Sequence, residues 1–451
     1  MGWGCSDQIY EQIYKNNKRL KINMLTAYKF RLYPNREQQV LFSKYFGCNR
    51  VVWNKALALK EEYYKQHKND AAKKGLNYYD IARFLTSLKK KEEYKWLKEA
   101  NSQSLQQSLI DLDTAFKNFF KGIARYPNYK KKSNKQSFRV PQFFNFNGNV
   151  LYLPKFGKGI KMKEHREFLR EKVRQVTISK VPSGKYFVSI LVSDSREAPK
   201  KAAIKDNPKT IGIDMGIKDS VVLSNGIKID NPKYLQKSEN LLKTRQKQLS
   251  RKKLGSNNFH KSRIKVAKIH ERITNQRHDL LHKVSDVITK HFDMIAVETL
   301  NIGGMKANHH TAKAISDVGI GNFFRFLKYK AENRGKNTLE IGMFDPSSKM
   351  CHYCKHINKK LTLKEREWKC PNCHAWLDRD LNAAINIRYF GLVKAGIKLG
   401  KPKNQRLIPS VRGELKPVEN PLTAELIKMK IKFRSTSHGP EKQEAPCGSL
   451  G

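Results

Sequence analysis

The chain has 451 residues, with 90 Lys or Arg against 40 Asp or Glu and a formal net charge of +50. That excess goes far beyond what solubility requires and implies a polyanionic partner, nucleic acid first among them. No run of about 18 apolar residues is present, which excludes a membrane-spanning helix. Residues 1–23 lack the apolar stretch of a secretory signal and read as a peripheral extension. An intracellular protein is expected, cytoplasmic or, in a bacterium, nucleoid-associated.

LTAYKFRLYP (25–34) alternates as a strand does, and Pro34 ends it. Helical periodicity follows, with Asn35 as N-cap and Gly47 as a break. It continues through LNYYDIARFLTSLKKK and NSQSLQQSLIDLDTAFKNFFKGI, so residues 35–125 read as an all-helical, basic, aromatic-bearing insert. Beyond Pro127 come short alternating segments with turn signals such as PSGK. They read as a small β-barrel whose first strand is 25–33. Residues 195–209 read as a linker. TIGIDMGIKDSVVLSNG (210–226) predicts two strands and a turn, with Asn225-Gly226 suiting a hairpin end. A long basic helical pair fills 233–283, broken near LGSNN. The apolar strand DMIAVETL, the helix IGNFFRFLKYKAENRG and the strand NTLEIGMFDP follow. The tail, 396–451, is rich in Pro, Lys and Glu, lacks periodicity and reads as disordered.

Between that last strand and the tail lie four of the seven cysteines. Cys351 and Cys354, then Cys370 and Cys373, form two CxxC pairs separated by fifteen residues. This is the spacing of a four-cysteine zinc site, in which each pair aims two thiolates at one ion. Four filled positions leave none for chemistry, so the Zn²⁺ is expected to be structural. His352, His356 and His374 flank the cysteines and are not read as ligands.

Three carboxylates stand out. Asp214 interrupts the apolar strand IGIDMGI, where an unpaired carboxylate is costly. Gly212 and Gly216 beside it leave room for a backbone or ligand to approach. Glu298 ends MIAVETL, and Asp380 opens the helix DLNAAINI. Asp380, Ala383, Ala384 and Ile387 share one helical face, whose small residues would let the helix lie close on a sheet. Asp378 points elsewhere and reads as a helix cap. Two strands and a helix would thus deliver three hard oxygen ligands, the donor set for two Mg²⁺ ions in phosphodiester hydrolysis.

As a set, these motifs resemble the TnpB (OrfB) family. They are the IGIDMG strand, the apolar strand ending in Glu298, the two CxxC pairs and DRDLNAAINI (378–387). KFRLYPNREQQ, NRVVWNKALA and NQRHDLLHKVS extend the resemblance over roughly residues 25–390. TnpB proteins are RuvC-like nucleases of insertion sequences, related to type V CRISPR effectors. The resemblance implies a multidomain α/β chain. A wedge-like β-barrel (24–34 and 126–205) would be interrupted by a helical recognition domain (35–125). An RNase H-like (RuvC) nuclease domain (206–344 and 378–395) would carry an inserted zinc finger (345–377). The implied activity is guided cleavage of double-stranded DNA beside a short target-adjacent motif. The guide RNA would derive from the element's own end, and the protein would act as a monomer with that RNA. Catalysis and Mg²⁺ binding would map to Asp214, Glu298 and Asp380, and zinc to the four cysteines. Lys355 and His374 stand where the family often has Gly after each second cysteine, so the knuckle geometry is expected to differ slightly.

The basic regions fit this reading. Residues 233–283 carry 15 Lys or Arg against 3 acids and would line a nucleic-acid channel that tracks phosphates. Candidate contacts are Asn54, Lys55, Arg251, Lys252, Lys253 and Arg277. Trp53 reads as core. Two other functions share the pattern: a guided DNA-binding regulator with vestigial acids, and a transposase that joins strands.

Overall fold

The computed structural model describes residues 23–70, 75–133, 135–197, 199, 208–362, 364–397 and 421–435. The expected N-terminal extension (apart from residue 23), the centre of the expected linker and most of the tail lie outside the described residues. The chain divides into two compact units, Met1–Glu197 and Ala198–Gly451.

In the first unit, strand β1 (Asn23–Tyr33) leads into helix α1 (Arg36–His67). Asn35 and Gln38 form a reciprocal capping box that satisfies two orphan N–H groups and starts α1 where the sequence predicts. Gly47 does not break the helix, which runs for 32 residues. One interior glycine costs only about 1 kcal/mol, and the buried Phe42, Tyr45, Phe46, Val52 and Trp53 around it hold the helix against the sheet. Helices α2 (Tyr78–Leu88) and α3 (Ser102–Phe120) follow, with a 3₁₀ turn (Glu92–Glu99) between them.

Six strands come next: β2 (Gln136–Val140), β3 (Asn145–Asn147), β4 (Val150–Tyr152), β5 (Ile160–Lys163), β6 (Val173–Lys180) and β7 (Tyr186–Glu197). With β1 they form one antiparallel sheet ordered β2-β6-β7-β1-β5-β4-β3. The expected small barrel is a half-barrel: among the described residues, β2 and β3 stand at the two ends of the sheet and do not pair with each other. Aromatic rings bind α1 to it. Phe42 lies 5.4 Å from the ring of Tyr186, and Tyr45 lies 4.9 Å from that of Phe138.

The second unit is built on a mixed six-stranded sheet. Its strands are β8 (Thr210–Asp214), β9 (Asp219–Leu223), β10 (Ile227–Asp230), β11 (Met294–Val297), β12 (Asn337–Glu340) and β15 (Phe433–Ser435). The order is β12-β11-β8-β9-β10-β15. β12, β11 and β8 run parallel, and the rest pair antiparallel. Between β10 and β11 stand the basic helices α4 (Tyr234–Ser250) and α5 (Asn257–His291). Helices α6 (Ile302–Ala307), α7 (His309–Val318) and α8 (Ile320–Asn333) follow β11. A two-stranded hairpin, β13 (Glu367–Lys369) and β14 (Trp376–Asp378), precedes α9 (Arg379–Lys394).

The tail is a correction. Residues 421–435 are ordered as α10 (Pro421–Lys428) and β15. Leu422, Leu426 and Ile431 enter the core, Glu425 pairs with Lys290 and His291, and Arg434 pairs with Asp219 and Asp230. An eight-residue helix and a three-residue strand have no period long enough to read from sequence. Burial and pairing against the finished sheet make them.

Alternation along β8 and β11 sorts their side chains onto two faces. Ile211, Ile213, Ile295 and Val297 pack with Leu281, Val284, Ile288, Phe323 and Leu327 of α5 and α8. The opposite face, that of Gly212 and Ala296, receives α9. A Cβ on Gly212 would lie 2.1 Å from the Ala384 carbonyl oxygen and 2.6 Å from the Arg388 backbone nitrogen. Only glycine allows so close an approach. Gly212→Ala should therefore destabilise the second unit by about 3 kcal/mol or more, read as a lower urea midpoint, whereas alanine at the open, mid-helix position Gly47 should stabilise by up to about 1 kcal/mol.

Candidate active site and metal centre

Asp214 is the last residue of β8 and Glu298 follows the last residue of β11. The strands pair in parallel with Val297 opposite Ile213, so the two acids are the next residues of adjacent strands. Asp214 shares the face of Gly212, and Glu298 that of Ala296. That is the face on which α9 lies, and Asp380 sits in the first turn of α9. The topology therefore brings all three sequence-predicted carboxylates to one place.

Their electrostatics agree. Burial, then the charges of Glu298 and Asp380, push the Asp214 carboxyl up to about 7, against a backbone N–H from Met215 that favours its charged form. Burial also raises Glu298, opposed by the Ser347 hydroxyl, which donates to its Oε1 at 3.1 Å. Asp380 is held by two guanidiniums: Arg366 Nη1 at 3.1 Å and Arg379 Nη2 at 3.4 Å. Asp378 takes the cap role, accepting from the Leu381 N–H at 2.9 Å, and its other oxygen meets the buried Lys228 ammonium. Asp214, Glu298 and Asp380 offer hard carboxylate oxygens, the donor type that divalent cations take, with the first two desolvated; among the described residues only the cysteine thiols are gathered tightly enough to close on an ion as they stand. Sequence reading missed Arg366, Ser347 and Lys228. Only the mid-strand, apolar-flanked position of Lys228 carried a signal.

The four cysteines converge as predicted. All their Sγ atoms lie within 4.8 Å of one another, with Cys351–Cys373 and Cys354–Cys370 each at 3.6 Å. A tetrahedron with Zn–S arms of about 2.3 Å needs edges of about 3.8 Å, so the set fits zinc. The two knuckles repeat one hydrogen-bond pattern. Lys355 N–H donates to the Cys351 carbonyl and His374 N–H to that of Cys370, both at 2.9 Å. Each pattern needs a left-handed residue, and Lys355 (φ 64°) and His374 (φ 57°) supply it. The geometry is thus kept without glycine, at a local cost of about 1 kcal/mol per residue. Lys355 recovers part of this by bonding the His352 carbonyl at 3.0 Å and lying 4.0 Å from the Tyr389 ring.

The expected nucleic-acid contacts divide. Arg251, Lys252 and Lys253 are exposed at the turn between α4 and α5. Lys55 is exposed as well, 5.3 Å from the Tyr94 ring. Two others are engaged within the protein. The Asn54 amide is engaged on both sides by the Lys130 backbone, at 3.0 Å and 2.8 Å, and fixes a loop. Arg277 pairs with Asp317 at 2.6 Å, and Asp317 also accepts the Leu235 N–H. Both side chains already have partners within the protein. Periodicity places a residue on a face without telling which loop will cover it. Trp53 is core, its indole N–H donating to the Asn128 carbonyl at 3.1 Å.

Two predictions follow from this geometry. His374 is exposed, so His374→Gly should relieve the left-handed strain without loss of packing. The variant should gain up to about 1 kcal/mol and release zinc to a chelator more slowly. The second concerns pH. A carboxyl raised from 3.8 to about 7 in the fold is protonated there while the unfolded chain is already ionised. In Mg²⁺-free buffer, stability should fall as pH rises from about 4 through about 7. Asp214→Asn should flatten that slope, measured as urea midpoint against pH.

Known proteins resemble this chain over most of its length. The OrfB "Probable transposase" profile matches residues 189–309, and "Cas12f1-like, TNB domain" matches 321–387. "Helix-turn-helix domain" matches 24–69, which here is one strand and one unbroken helix. A Streptomyces pristinaespiralis protein named "Putative RNA-guided DNA endonuclease" is 37% identical over 81% of this chain and 89% of its own length. "Putative RNA-guided DNA endonuclease InsQ" of Escherichia coli K12 is 31% identical over 84% of this chain and 97% of its own length. A solved Cas12f1 chain, in a complex with sgRNA and target DNA, aligns over 81% of this chain and 99% of its own length at 12% identity and TM-score 0.41. No described helix is long and apolar enough to cross a membrane. The chain belongs to the TnpB (OrfB) family.

Proposed function

We propose that the protein is an RNA-guided endonuclease that cuts double-stranded DNA beside a short target-adjacent motif. Its second unit would be an RNase H-like nuclease domain with an inserted zinc finger, and its first a wedge-like sheet carrying a helical recognition domain. The observation that carries the reading is the meeting of Asp214, Glu298 and Asp380 on one face of the sheet, close enough for two of the charges to raise the carboxyl of the third. The family relatives named as RNA-guided DNA endonucleases support it.

Asp214, Glu298 and Asp380 would hold two Mg²⁺ ions, which supply an activated water and charge stabilisation at the leaving oxygen. The chain's own residues prepare that site. Gly212 lets α9 lie against β8, which brings Asp380 over the strand ends. Asp378 and Lys228 fix the first turn of α9. Arg366 and Arg379 pair with Asp380. A guide RNA would read sequence by base pairing, and the exposed Arg251, Lys252, Lys253 and Lys55 would meet phosphates without reading bases. The four-cysteine cluster would be filled by structural zinc.

The test is a cleavage assay. The protein is co-expressed with RNA from DNA flanking its gene and offered guide-matched targets with Mg²⁺. Cleavage next to a recurrent short motif is expected. Asp214→Ala should lower the rate about a thousandfold or more while guide and target binding persist. Unchanged cutting by Asp214→Ala would refute the assignment. Guided binding without any cutting by the native chain would identify a regulator, and joining of DNA ends would identify a transposase.

A further inference from the structure

We infer that Ser347 is a positioning residue for Glu298, so that the root of the zinc finger sets how the carboxylate site meets a divalent cation. The inference rests on the reading of Asp214, Glu298 and Asp380 as that site.

Glu298 lies just beyond the end of β11, where no strand ladder restrains its side chain. Two contacts tie this stretch to the segment after β12. Thr299 Oγ1 donates to the Ile341 carbonyl at 2.7 Å, and Ser347 Oγ donates to Glu298 Oε1 at 3.1 Å. Ser347 is only 6% exposed, so its hydroxyl acts in a desolvated setting where a charge-assisted hydrogen bond is strong. A serine with a purely local task would return its proton to a nearby carbonyl, as turn serines commonly do. This one spends it on a carboxylate 49 residues away.

Ser347 is itself fixed by the helix that carries Asp380. Asn386 Nδ2 donates to the Ser347 carbonyl at 2.8 Å. One turn earlier, Asn382 Nδ2 donates to the carbonyls of Ser348 at 3.2 Å and Met350 at 2.8 Å. The Asn382 Oδ1 accepts the His352 backbone N–H at 3.0 Å. Both asparagines are fully buried. They clamp the backbone from Ser347 to His352, which contains Cys351, onto α9. The same clamp therefore joins three things: the helix bearing Asp380, the first knuckle of the finger, and the hydroxyl on Glu298. A donor on Oε1 restrains the carboxylate and would leave Oε2 for a cation. Partners of this kind behind a metal-binding carboxylate typically change metal affinity by about 10–100-fold.

The experiment uses the full chain, zinc-loaded, with Mn²⁺ as the probe for the carboxylate site. Wild type, Ser347→Ala and Glu298→Gln are compared by calorimetric Mn²⁺ titration without RNA or DNA. Zinc content, melting temperature and guide-RNA binding are measured alongside. Ser347→Ala should bind Mn²⁺ about tenfold more weakly or worse, with the other three unchanged. Its cleavage rate should return to the wild-type maximum at high Mn²⁺, since a misoriented ligand is compensated by mass action. Wild-type Mn²⁺ affinity in Ser347→Ala would overturn the inference. So would a cleavage defect that excess Mn²⁺ does not restore, or a parallel fall in zinc content or melting temperature, which would make Ser347 a structural residue of the finger. If Glu298→Gln also binds Mn²⁺ like wild type, the reading of the acids as a metal site fails first and takes this inference with it.

Discussion

The second unit depends on one close contact, that of α9 against β8 at Gly212. Helices usually stand off a sheet by the width of their side chains, about 10 Å between layers. Here glycine on the strand and Ala384 on the helix remove that spacer, and backbone approaches backbone. Everything in the carboxylate site is downstream of this. Asp380 extends from the first turn of a helix whose distance to the sheet is set by an absent Cβ. Asp214 stands two residues beyond the glycine on the same face. Gly391 repeats the device further along the helix, where an added Cβ would meet the Ala296 Cβ at 2.7 Å. Two glycines, one on each partner, thus fix both ends of the seating.

The same helix organises the polar side of the unit. Its N-cap Asp378 is joined to Lys228 of β10, and its buried asparagines hold the start of the finger. A buried ion pair is poor evidence for stability in general. Here it is better read as fixing register, because it ties the first turn of α9 to one residue of the sheet. The finger is correspondingly not a free module. Arg366 reaches Asp380 from between the two cysteine pairs, and Ser347 reaches Glu298 from before the first.

Much of the site was legible because its residues break local rules. A carboxylate inside IGIDMGI has no inexpensive structural use, and two CxxC pairs have few alternatives. Ala383 and Ala384 announced a helix lying close on something. What stayed hidden was whatever depends on a distant partner. Nothing in PSSKMC says that a serine will face Glu298, and nothing in NRVVWNK says that a loop near Lys130 will use up the Asn54 amide. Arg277 looked like a phosphate contact because it is basic and sits in a basic helix, yet Asp317 lies 40 residues away waiting for it. Gly47 was misread for the opposite reason. Local propensity favoured a break, and the aromatic face of α1 outweighed it.

The strand at the far edge of the sheet has a consequence for how the protein is made. β15 pairs Ser435 with Ile227, residues 208 apart in the chain (435 − 227). While the intervening chain is being synthesised, β10 presents a bare row of N–H and C=O groups. Such an edge invites pairing with other chains, and closing it requires one of the longest loops in the protein. The second unit therefore finishes folding late, and its most aggregation-prone moment falls between the appearance of β10 and the arrival of the three residues of β15.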